Sequence, residues 1–242
     1  MSTSSSRAPK GTVAIPTAFI LIAVAVWELA VKLMGVSPRI LPAPTQVARA
    51  GWQQREVIAG HAAATLQVTA VGFALSMVCA WVLAIASDFS PTLRKGLQPL
   101  LVASQTVPVI AIAPLIIIWF GFGIVPKMLV VALVTFFPVA IGLIEAFDRT
   151  DRDATRLLRS MGASRWQQFR MVRLPQAMPA FFTALRIGIT YAVTGAIFAE
   201  YVGAKQGLGI YMSVQKNAFR TDLVLAAVVV TAALSIALYL SC

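Results

Sequence analysis

The chain has 242 residues, 59% of them hydrophobic and only 12% charged, with a mean hydropathy of +0.82. Soluble domains carry about 25% charge, so this composition excludes an ordinary water-soluble fold and makes a multi-span membrane protein the starting point. A net charge of +11 could suit nucleic acid, but the basic residues lie between apolar runs rather than on a soluble face, so no nucleic-acid partner is expected.

In chain order, residues 1–12 read as a polar, disordered lead-in on the cytoplasmic side. A span needs about 20 apolar residues, and the first is expected over 13–34, with Glu28 and Lys32 one helical turn apart and able to pair. Arg7 and Lys10 before Ala23-Val24-Ala25 resemble a cleavable signal peptide, yet the apolar run continues past that site into Val26 and Trp27. Residues 35–60 read as a periplasmic segment, a Pro-rich entry followed by an amphipathic surface helix. Residues 61–242 read as the core domain, with spans expected at Ala62 to Ser87, Gly96 to Pro126, Lys127 to Glu145, Ala177 to Tyr201 and Leu223 to Leu240. The expected fold is thus all-α with about six transmembrane helices, and the absence of sustained period-two alternation argues against a barrel.

Orientation follows the loop lysines and arginines. Asp148 to Ala180 holds seven arginines (149, 152, 156, 159, 165, 170 and 173), the densest basic stretch, and is placed in the cytoplasm. At 100° per residue, Ala154, Leu157, Leu158 and Met161 form an apolar stripe, with Arg149, Arg152, Arg156 and Arg159 opposite. Asp151 and Asp153 suit the first turn, Gly162 the C-cap, and Ser164 the cap of a second short helix that Pro175 terminates or kinks. Periodicity alone fits a basic helix lying on anionic lipid headgroups as well as it fits a docking helix.

The spacing of Gly162, nine residues, Val172, one residue, then Leu174-Pro175 resembles the cytoplasmic loop of bacterial ABC importer permeases. "IAPLIIIWFGFG" (Ile112 to Gly123) and "AEYVGAKQGLGIYM" (Ala199 to Met212) are similar to the nitrate, sulfonate and taurine branch and its relatives for thiamine-precursor pyrimidines. The resemblance covers about residues 40–235 and implies a type I importer permease of the inner membrane, its loop 148–180 carrying a coupling helix that docks on an ATPase. The implied partners are two ABC ATPase subunits, a periplasmic or lipid-anchored substrate-binding protein, a second permease copy forming a homodimer, and membrane lipid. The implied coupling residues are Asp153, Ala154, Leu157, Leu158, Met161, Gly162, Ala163, Leu174 and Pro175. The family's Glu-Ala-Ala triplet is Arg156-Leu157-Leu158 here.

No G-x-x-x-x-G-K-[ST] occurs, so the chain carries no cofactor of its own and ATP belongs to the partner. With one histidine and no nucleophile or metal-ligand spacing, no catalytic residue or metal site is assigned and the protein is not read as an enzyme. The competing reading is an ion-coupled secondary carrier or channel subunit, for which intramembrane charge is sparse. Pathway or gate candidates are Gln105, Thr106 and Pro108, which break the third span, with Glu145, Arg186, Glu200, Gly203, Gly207 and Gly209. Arg186 is expected to pair with Glu145, Glu200 to face the outer vestibule, and the glycines to form a turn that re-enters toward the bundle. Cys79 and Cys242 are expected to form no disulfide.

Overall fold

The computed structural model describes residues 11–104, 106 and 108–242. The expected N-terminal lead-in falls largely outside these residues, as does Gln105. Among the described residues every regular element is helical: α1 (Gly11–Met34), α2 (Pro44–Gln53), α3 (Arg55–Phe89), α4 (Pro91–Ser104), α5 (Val109–Phe120), α6 (Ile124–Asp148), α7 (Arg152–Ser160), α8 (Arg165–Gln168), α9 (Leu174–Gly203), α10 (Leu208–Asn217) and α11 (Thr221–Ser241). A π-helical turn, Phe169–Arg173, joins α8 to α9.

Helices α3, α6 and α9 form the centre, because small residues there let the backbones approach. A Cβ on Gly72 of α3 would lie 2.7 Å from Met128 O of α6, and one on Gly188 of α9 would lie 2.9 Å from Val139 Cγ2. Ala80, Val139, Ala140, Leu143 and Ala177 are fully buried between them. Helix α1 is peripheral and almost wholly exposed, as an apolar surface facing lipid would be. Glu28 pairs with Lys32 at 2.8 Å as expected and also accepts from Thr45 N at 3.1 Å, which fastens α1 to the start of α2.

Among the described residues, five helices are long and apolar enough to cross a membrane: α1, α3, α6, α11 and the continuous run from Arg165 to Gly203. The expected third span is not one helix. Its residues divide between α4 and the 12-residue α5, since Pro108 adopts an extended conformation at the N-cap of α5 and supplies no N–H to continue α4. Helix α3 begins at Arg55, ahead of the charge-free run, and at 35 residues it is about 52 Å long, so it projects beyond the bilayer core. Pro175 neither ends nor breaks its helix: the preceding turn widens, with Leu174 N donating to Phe169 O, and this absorbs the missing donor of the proline. The chain therefore gathers residues 88–98 and 148–176 at one end of the bundle and residues 35–60, 121–126 and 203–222 at the other.

Candidate functional site

At the first end, α7 stands clear of the bundle and buries none of its residues. Asp151 is its N-cap, not a first-turn residue as the sequence suggested: its Oδ1 accepts from Asp153 N at 2.8 Å and Ala154 N at 3.3 Å. Asp153 occupies the first turn and pairs with Arg156 at 3.3 Å in full exposure. Gly162 has φ +82 and closes α7 with paired bonds, Ala163 N to Leu158 O at 3.0 Å and Gly162 N to Arg159 O at 3.1 Å. Ser164 then opens α8 in a reciprocal cap with Gln167.

The two faces of α7 differ as the periodicity required. Leu157 is 62% and Met161 74% exposed, while Ala154 and Leu158 are half-buried. The arginine side is exposed as well, but it borders the rest of the chain. Arg156 and Arg159 with Thr155 line a 270 Å³ crevice against Asp88, Arg165 and Arg173, and Arg152 lines a second beside Arg94 and Asp148.

The loop is seated by buried groups. Phe169 is 3% exposed and lies 5.6 Å from the Phe89 ring and 5.5 Å from the Phe147 ring, bridging the ends of α3 and α6. Leu174 packs against the same cluster, and Pro175 sits exposed in the first turn of α9. Ion pairs join Arg173 to Asp88 and Arg94 to Asp148, and Asp151 N donates to Gln176 Oε1 at 2.9 Å. Burial pulls the Arg94 guanidinium below its ordinary value, with Asp88 opposing and Arg173 reinforcing the shift. Four elements thus share one charge cluster under α7.

At the other end lies a buried polar knot. Glu200 does not face a vestibule: it is fully buried, and its Oε2 accepts from Thr65 Oγ1 at 3.0 Å and from Gly209 N at 2.9 Å. Thr65 Oγ1 in turn accepts from Leu208 N at 2.8 Å, and His61 Nδ1 accepts from Gly207 N at 3.1 Å. Lys127, 8% exposed, is a second buried charged residue. A Cβ on Gly207 or Gly209 would overlap Glu200 or the α9 backbone, so glycine is what allows the turn to fold back against the bundle. Gly203 makes similar room for the Phe122 ring. The structure therefore brings Glu200, Gly203, Gly207 and Gly209 together.

The remaining candidates lie apart. Thr106 and Pro108 sit exposed in the break between α4 and α5, where Thr106 Oγ1 donates to Ala103 O at 2.7 Å. Glu145 and Arg186 do not pair. Glu145 bonds Arg149 one turn along its own helix at 3.2 Å, and the Arg186 guanidinium lies 5.8 Å from the Tyr239 ring centre on α11. His61, Thr65 and Lys127 were not singled out from the sequence. The first two are spaced i, i+4 near the start of α3, and that spacing places them on one face.

Residues 57–241 match the family described as binding-protein-dependent transport system inner membrane component. The chain is 37% identical over 197 residues, 81% of its length and 78% of the relative's, to a formylaminopyrimidine transport permease protein of Halalkalibacterium halodurans. It is 36% identical to a riboflavin transport system permease protein of Chloroflexus aurantiacus, covering 93% of this chain and 84% of that one. A taurine transport system permease protein of Escherichia coli is 33% identical, with 95% and 85% covered. In fold the chain is similar to a crystal structure of an amino acid ABC transporter, with a TM-score of 0.64 at 15% identity over 79% of this chain and 92% of that one.

Proposed function

The chain belongs to the family of binding-protein-dependent transport system inner membrane components, and from that premise we propose that it lines the import pathway and draws its power from a separate ATPase seated on α7. It is a multi-pass permease subunit of an ABC importer and, like its relatives, not an enzyme. The observation that carries the coupling reading is α7 itself, a capped amphipathic helix that has no fully buried residue and, with its C-cap, presents Leu157 and Met161 outward. Exposed apolar side chains on a rigid mount are a surface for a partner. The charge cluster of Asp88, Arg94, Asp148 and Arg173 beneath it ties any movement of α7 to the ends of α3, α6 and α9.

This reading puts the α7 end and the N-terminus in the cytoplasm and the Glu200 end outside, facing a periplasmic or lipid-anchored binding protein. Two ATPase copies and two permease copies complete the assembly, with ATP held by the ATPase. The cargo is a small nutrient of the class named for the relatives: a formylaminopyrimidine, riboflavin, taurine or another sulfonate. Nitrate is the remaining candidate from the sequence. The test is uptake into proteoliposomes carrying the permease, its ATPase and its binding protein, offered this panel of compounds. ATP-dependent accumulation that survives ionophores supports the reading, and accumulation driven by an ion gradient without ATP contradicts it.

A further inference from the structure

On the end opposite α7, the turn between α10 and α11 lines a cleft of about 590 Å³ together with α2 and the segment before it. Three guanidinium side chains line it, Arg39, Arg49 and Arg220, all exposed. Arg220 is held by Asp222 through two bonds of 3.0 and 2.9 Å, whereas among the described residues neither Arg39 nor Arg49 has an ion-pair partner. The lining therefore keeps a surplus of positive charge.

Beside these arginines stands Phe219. It has φ +55, the one positive-φ residue other than glycine among those described, and it occupies the left-handed position that ends α10, with Phe219 N bonded to Lys216 O at 3.0 Å and Arg220 N to Gln215 O at 2.9 Å. Glycine or asparagine suits that position, and a bulky aromatic there is an outlier. The ring gains little from its own chain in return, being 72% exposed. An aromatic ring held in a disfavoured conformation only to stand in solvent is accounted for by something that covers it. The cleft is also preformed, because Thr221 Oγ1 donates to Arg39 O and locks its two walls together.

We propose that this cleft is the docking socket for an acidic loop of the substrate-binding protein, with Phe219 as the apolar anchor and Arg39, Arg49 and Arg220 as the charge frame. The inference rests on the importer reading and adds the surface and chemistry of the contact. An aromatic anchor ringed by arginines is the composition that concentrates binding energy in protein interfaces. A protein loop is favoured over lipid because more than one negative charge, together with an apolar pocket for a ring, is needed to match the frame.

The test titrates the permease and ATPase complex in nanodiscs with its binding protein and follows stimulated ATP hydrolysis. Phe219→Gly separates the two accounts of the ring, since it relieves the backbone while removing the anchor. The socket predicts a raised melting temperature for Phe219→Gly together with a KM for the binding protein increased on the order of tenfold. It predicts a similar increase for Arg39→Glu combined with Arg49→Glu, and a wild-type KM that rises with ionic strength. Stimulated wild type with unchanged KM in both variants overturns the socket and leaves the importer reading standing. An unstimulated wild type overturns both. If the arginine reversal instead strips anionic lipid from the nanodisc and leaves KM untouched, the cleft is a headgroup site and the docking proposal falls.

Discussion

Glu200 and Gly162 show how differently two single residues can be read. Gly162 announced itself through a local signal, an apolar stripe that stops followed by a glycine, and its φ of +82 confirms the cap. No Cβ clash awaits a substitution there, so the cost is conformational, about 1–2 kcal/mol for a residue forced into the left-handed region. Gly162→Asn is therefore expected to keep near wild-type stability and ATPase retention, and Gly162→Val to lose both in thermal-shift and pull-down measurements. Glu200 gave no such signal. Its partner Thr65 lies 135 residues away, and only packing of α3 against α9 reveals the pair. Thr65→Val should strand Leu208 N, at about 1–3 kcal/mol, and leave Glu200 Oε2 with Gly209 N as its remaining donor. Gly207→Ala, which would place a methyl on the carboxylate, should be worse. Both are expected to lower the melting temperature of the detergent-solubilised protein, and an unchanged value would remove the knot's structural role.

Among the elements, those carrying a clean run of apolar residues were legible, and those depending on backbone detail were not. Spans α6 and α11 appeared close to their expected limits, because nothing interrupts their hydrophobicity. The third span read as one long kinked helix but divides into α4 and α5, since composition reports that a segment is apolar and not how Pro108 redirects it. The join between α8 and α9 was misjudged because a π turn, invisible to period-3.6 reasoning, absorbs Pro175. Arg173 and Asp88 illustrate coupling between elements: the Asp88 side chain is 5% and that of Arg173 29% exposed, so removing one charge costs less than the ~3–5 kcal/mol of a fully buried pair. Reversing either charge alone, Arg173→Asp or Asp88→Arg, should abolish import. The double exchange should restore much of it, and failure of that rescue in an uptake assay would separate the ion pair from the coupling path.

At the scale of the molecule, an all-α membrane fold of the importer permease type was legible from composition and one spaced motif, and the family match over residues 57–241 bears that out. The buried knot and the Arg39, Arg49 and Arg220 cleft emerge only from tertiary packing. The claim on which the rest depends is that α7 hands force from an ATPase to the bundle. Desolvating a charge in a docked apolar face costs several kcal/mol, whereas the arginines on the opposite face line crevices of their own chain. The most direct measurement is co-purification of the ATPase with tagged, detergent-solubilised variants. The account predicts that Leu157→Asp, Met161→Asp and Gly162→Arg insert normally but lose the ATPase, while Arg152→Gln, Arg156→Gln and Arg159→Gln retain it. Full ATPase retention by Gly162→Arg and Met161→Asp, with loss confined to the arginine variants, would contradict the account and leave α7 as a helix on lipid headgroups.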